Sequence, residues 1–146
     1  MTGRPISKHI HHISLRAIVA ATESQEKVKA AMSLFLFGGE IETITTEGHF
    51  GNPIIILQTQ IKGKNSLKFI ELLKSKLSGE ELGRLKNECS QRIDDDCYFH
   101  IRLDKQAAYK GIVQLAITTD TIAVEIKIKA YPAKRELAVA IAEDIF

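Results

Sequence analysis

A chain of 146 residues with 45% hydrophobic and 26% charged residues is long enough for one globular domain with a sizeable core, and too apolar for wholesale disorder. Twenty Lys and Arg against 18 Asp and Glu leave a formal charge of +2, so net charge alone marks no polyanion binder. The absence of Trp and an aromatic content of 6% argue against a broad stacking platform, and no run approaches the roughly 20 apolar residues of a bilayer span.

Met1 to Lys8 are not followed by a signal-type apolar block, because His9, His11 and His12 interrupt it; the first eight residues are expected to be a flexible tail and residues 9–146 a single domain. A soluble, cytoplasmic protein is the corresponding expectation. From Lys8 to Ala20, Ile13, Leu15, Ala17 and Val19 alternate with His12, Ser14 and Arg16, the pattern of a strand with one buried face. Thr22 with Gln25 predicts a helix start, Val28, Ala31, Met32 and Phe35 its apolar stripe, and Gly38-Gly39 its end. Residues 41–47 and 53–62 read as strands, the second placing Gln58 and Gln60 opposite Leu57, Thr59 and Ile61. A second helix carries Leu67, Ile70, Leu73 and Leu77, and a Ser78/Glu81 capping box opens a third with Leu82, Leu85, Cys89 and Ile93.

Tyr98, His100 and Arg102 alternate with Phe99, Ile101 and Leu103 in a further strand. Asp104 is placed to cap a short helical turn, and Gly111 to reverse the chain into a strand over 111–118. In residues 121–130, Ile122, Val124, Ile126 and Ile128 alternate with Glu125, Lys127 and Lys129. Pro132 suits the first position of a last helix, with Leu137, Ala140 and Ile141 inward. Cys89 and Cys97 form no CxxC and no four-ligand zinc pattern, so both are expected to be free thiols.

One apolar face per strand predicts an α+β, two-layer domain: a mostly antiparallel sheet with helices packed on one face. The other face would gather His12, Ser14, Arg16, Gln58, Gln60, Tyr98, His100, Arg102, Gln114, Lys127 and Lys129, with Glu125 as its one carboxylate. Such donors suit phosphate, ribose and base edges, although any antiparallel sheet has a polar outer face. Cations also cluster locally: Arg4, Lys8 and Arg16 near the start, and Lys127, Lys129, Lys134 and Arg135 near the end, stand without intervening acids. Lys134 and Arg135 in a first helical turn would oppose the helix dipole unless an anion sits there. Lys105 and Gln106, at the end of the His100–Arg102 strand, read either as a phosphate or ribose clamp or as part of an ordinary capped connection. The turn Glu47–Pro53 presents His49 and Asn52 to a ligand, or simply joins two strands.

Four strings, IHHISLRA (10–17), TEGHFGNPI (46–54), IDDDCYFHIRLDKQAAYKG (93–111) and KAYPAKRE (129–136), resemble an archaeal family of small RNA-binding-domain proteins catalogued as predicted exosome subunits. That family is similar in fold to the fifth protein of the large ribosomal subunit. The resemblance implies a non-catalytic RNA binder, with no cofactor, that associates with RNA-processing machinery. By its motifs it implies RNA contacts at Arg102, Lys105 and Gln106, at Lys134 and Arg135, and at His49 and Asn52. With the outward-facing His12, Arg16, His100, Lys127 and Lys129, these form the expected contact surface.

Two chemistries compete. Asp94 and Asp96, with Asp95 and Asp104, could hold Mg²⁺ for a nuclease, but consecutive acids converge poorly on one ion. His9, His11 and His12 lack the further ligands of a structural zinc site. A third reading is an interaction module whose open sheet docks a partner or a second copy as a homodimer. No GxxxxGK[ST], GxGxxG or GxSxG occurs.

Overall fold

The computed structural model describes residues 9–37, 39–48 and 51–146. The expected tail and His49 lie outside them. Five strands, β1 (Ile10–Val19), β2 (Glu42–Glu47), β3 (Pro53–Ile61), β4 (Tyr98–Asp104) and β5 (Thr121–Ile128), form one sheet in the order β2-β3-β1-β5-β4. Every pairing is antiparallel. Six helices accompany it: α1 (Gln25–Ser33), α2 (Lys64–Lys76), α3 (Gly79–Asn87), α4 (Cys89–Arg92), α5 (Lys105–Tyr109) and α6 (Arg135–Ile145). None of them is long and apolar enough to cross a membrane.

The period-two pattern decides the layering. Ile13, Leu15 and Ala17 of β1, Leu57 and Ile61 of β3, Ile122, Val124 and Ile126 of β5, and Phe99, Ile101 and Leu103 of β4 all enter one core. Val28, Ala31 and Met32 of α1, Phe69, Ile70 and Leu73 of α2, and Ala138, Ala142 and Ile145 of α6 close it from the other side. Phe35 and Phe69 meet edge to face at 6.3 Å, and Phe99 stacks on Phe146 at 5.4 Å. β2, at one edge of the sheet, is exposed along most of its length.

Local signals acted largely as expected. Ser78 and Glu81 form the full capping box at α3, and the Asp104 carboxylate accepts from the Ala107 N–H at the start of α5. Several expectations are corrected. Ser24, not Thr22, caps α1, and α1 ends at Ser33, ahead of the glycines. The single helix expected to reach Ile93 divides at Glu88, which is the C-cap of α3 and the N-cap of α4. Residues 111–118 are not a strand; only an isolated bridge joins Leu115 to Leu103, and Gln114 lies in this loop. Their alternation reflects burial of Val113 and Leu115 one at a time, while Ile117 is exposed. Pro132 precedes α6 by three residues, and Ala140 faces outward because the buried stripe runs Ala138, Ala142, Ile145.

Candidate functional site

Side chains on the sheet face away from the core are exposed or half-buried, Ile56 and the α5-capping Asp104 aside, and at the β4 edge Arg84 of α3 and Arg92 of α4 border a groove with His100 and Arg102. Register fixes their neighbours. One cross-strand row runs Glu42, Gln58, Arg16, Ala123, Arg102. The next runs Gln60, Ser14, Glu125, His100, and a third runs His12, Lys127, Tyr98. Arg16 and Arg102 stand two strands apart, roughly 9–10 Å across the sheet, with the small Ala123 between them. Among the described residues, neither arginine has an ion-pair partner. This face holds a shallow trough of about 900 Å³, floored by Ser14, Arg16, Gln58, Gln60, Ala123 and Glu125 and walled by Glu40, Ile41 and Glu42.

The third row is held in place. The Lys127 ammonium lies 4.7 Å from the Tyr98 ring centre and donates to the Asp96 carbonyl. His12 meets the same ring edge-on at 5.9 Å. Partial burial, then the neighbouring His11, Lys62 and Lys127, lower the pKa of His12 against the opposing pull of Glu125. Lys129 continues the outward-facing series beyond β5 and is exposed. In the second row, His100 is half-exposed and points Nε2 at Asp94 Oδ2, 2.8 Å away.

Asp94 is a structural acid. Burial alone would raise its carboxyl, but His100 and the N–H groups of Tyr98 and Asp96 together hold it below the usual carboxylate range. Both of its oxygens are therefore engaged, which leaves Asp96 without Asp94 as a free companion ligand. Among the described residues, no three His, Cys, Asp or Glu side chains group to hold a metal ion.

Five expected contacts lie elsewhere. Lys105, expected at the rim, has 1% of its surface exposed. Its Nζ donates to the Ile18 carbonyl at 2.9 Å and lies 2.7 Å from Glu23 and 2.8 Å from Asp120. An ammonium so enclosed is not available to an external anion, and the clamp reading of Lys105 is corrected. Gln106 is exposed but donates to Asp120 at 2.6 Å. Arg135 turns inward to the helical layer, where it donates to the carbonyls of Ile93 and Ser90 and so caps the end of α4. Lys134 is exposed at the start of α6, within that layer and not on the open face. Asn52 is exposed in the β2–β3 hairpin, its carbonyl accepting from the Gly48 N–H at 2.7 Å.

Sequence reasoning omitted Ala123 of the trough floor and Glu40, Ile41 and Glu42 of its wall. Ala123 was legible, since it occupies an outward position of an alternating strand. Glu42 was not, because only the pairing of β2 with β3 brings it to Gln58, whose Nε2 lies 3.3 Å from its carboxylate.

A family model described as RNA binding matches residues 12–128. A protein of Pyrococcus abyssi named an RNA-binding protein is 42% identical over 137 residues, covering 88% of each chain. A crystal structure of an Archaeoglobus fulgidus protein superposes with a TM-score of 0.85 at 35% identity, covering 94% of this chain and 99% of that one. A DUF54 protein of Methanothermobacter thermautotrophicus gives a TM-score of 0.79, also at 35% identity, with 94% and 98% covered.

Proposed function

Because this chain belongs to the RNA-binding family, we propose that it binds RNA without cleaving it, through the open face of its sheet. The observation that carries this reading is the row from Gln58 through Arg16 and Ala123 to Arg102: two guanidinium groups with no ion-pair partner among the described residues flank a small residue on an amide-bearing floor. Guanidinium groups match phosphate oxygens in a bidentate fork, and their weak hydration lowers the cost of that contact. Lys127 and Lys129 extend the cationic track along the same face, with His12 beside Lys127 as a hydrogen-bonding ring. The name of the Pyrococcus abyssi relative supports the same reading.

The test is binding of a labelled single-stranded RNA across a salt series. Log affinity should fall with log salt at about −0.7 per phosphate neutralised, so the Arg16→Ala, Arg102→Ala double variant should flatten the slope by about 1.4. Unchanged affinity and slope would remove this row from the interface. Labelled RNA incubated with Mg²⁺ or Mn²⁺ should stay intact; cleavage abolished by Asp94→Asn or Asp96→Asn would overturn the non-catalytic assignment.

An accessory role beside an exosome, and a fold shared with the fifth large-subunit ribosomal protein, rest on the motif resemblance in residues 93–111 and 129–136. Recovery of exosome components with the tagged protein after nuclease treatment tests the first. A homodimer through the open face fits less well: stable dimer faces are mainly apolar, whereas these rows carry Arg16, Arg102, Glu125 and Lys127.

A further inference from the structure

Resting on that RNA-binding reading, we infer that the notch between His100 and Glu125 reads the hydrogen-bond donor edge of an unpaired guanine. Asp94 fixes the proton on His100. Its Oδ1 already accepts from the N–H groups of Asp96 and Tyr98, at 2.9 and 3.0 Å. Its Oδ2, 2.8 Å from His100 Nε2, needs a donor, so Nε2 carries the hydrogen. In the neutral ring, Nδ1 is then a bare acceptor.

That acceptor faces another. Glu125 Oε1 is 3.9 Å from His100 Nδ1, beyond hydrogen-bond reach. No described side chain or backbone N–H donates to the Glu125 carboxylate. Two acceptors thus stand side by side, Glu125 at the edge of the trough and His100 in the adjoining groove lined by Arg92, Asp94 and Arg102, and both side chains are about half-exposed. The pair is complementary to two adjacent N–H donors. Among nucleobases, guanine offers such a pair in N1–H and the N2 amine; adenine and cytosine offer a single amine beside an acceptor, and uracil a lone N–H between two acceptors.

The surrounding rows support a base rather than a phosphate here. A phosphate over Glu125 would meet a like charge. The row of Arg16 and Arg102 lies two residues to one side of Glu125, and that of His12 and Lys127 two residues to the other, each roughly 6–7 Å away along the strand. The backbone of a bound strand therefore has cations on both flanks of the notch, and the carboxylate is left to select. Guanine N1–H is consumed by pairing in a duplex, so the strand read here is unpaired.

The probe is a fluorescein-labelled, uridine-rich 12-mer carrying one central guanosine, compared at pH 8 with strands carrying inosine or adenosine at that position. Inosine lacks only the N2 amine. Wild-type protein should bind the guanosine strand roughly tenfold more tightly than the inosine strand. Glu125→Gln, a substitution at a half-exposed site that keeps side-chain size, should abolish the discrimination while retaining affinity for the adenosine strand. The Arg16→Ala, Arg102→Ala double variant should weaken all three strands together and preserve their ratios. Equal wild-type affinity for guanosine and inosine strands, or discrimination that survives Glu125→Gln, overturns the inference while leaving RNA binding intact. Failure of the wild type to bind any of the three strands instead overturns the RNA-binding reading on which it rests.

Discussion

Replacing Lys105 with methionine should unfold the protein more readily without altering its contact surface. The methionine keeps most of the buried stem and removes the ammonium. The Ile18 carbonyl then loses its donor, and the carboxylates of Glu23 and Asp120 lose the cation 2.7–2.8 Å away. Glu23 keeps the Tyr109 hydroxyl and the Ala20 N–H, but its side chain is only 15% exposed and cannot recover full hydration. Removing one member of a buried pair costs about 3–5 kcal/mol. Asp120 is 39% exposed, so solvent screens its share, and the lower end, about 3 kcal/mol, is expected. With a urea m-value of about 2 kcal/mol/M, the unfolding midpoint should fall by about 1.5 M. RNA affinity, measured well below the new midpoint, should be unchanged. A variant of normal stability with weakened RNA binding would refute both the burial of Lys105 and its exclusion from the interface.

Arg135→Ala should destabilise the fold by about 1–2 kcal/mol through the uncapped carbonyls of Ser90 and Ile93, visible in urea unfolding, and should leave the salt slope of RNA binding unaltered. Ser78→Ala should cost about 1 kcal/mol by breaking the α3 capping box, with a matching loss in denaturant midpoint and an unchanged m-value. Glu23 and Asp120 should make the protein acid-sensitive. Burial opposes their ionisation, but hydrogen bonds from Lys105 to both, from Tyr109 to Glu23 and from Gln106 to Asp120 lower their pKa values below 4.5 and 3.8. Their stabilisation is present above those unfolded values and is lost as pH falls through the lower folded ones. Lys105→Met should remove most of this acid dependence, and a midpoint–pH curve between pH 5 and 2 checks it.

Much of the fold was legible because it rests on nearest-neighbour chemistry. Alternation in β1, β3, β4 and β5 reports which face meets the helices, and a wrong register would expose a whole apolar row. The caps at Ser78 and Asp104 are equally local, since each partner lies three residues along. Residues 111–118 misled because Val113 and Leu115 are buried with only a single bridge, Leu115 to Leu103, and period two does not distinguish that from a strand. The division of α3 from α4 at Glu88 likewise leaves the apolar spacing of Leu85, Cys89 and Ile93 intact.

By itself, the amino-acid sequence determined the half-buried strands, the two-layer class and the side of the sheet on which Arg16, His100, Arg102 and Lys127 stand, because these follow from a two-residue repeat. Tertiary structure alone decided which cations remain free. Lys105 meets Glu23 across 82 residues and Arg135 meets Ser90 across 45, and no local pattern encodes either encounter. The same holds for the His100–Glu125 notch, created where β4 pairs with β5 and where Asp94 orients the ring. A charged side chain is committed to the fold or left for a ligand according to the groups that converge on it, and that convergence exists only once the chain has folded.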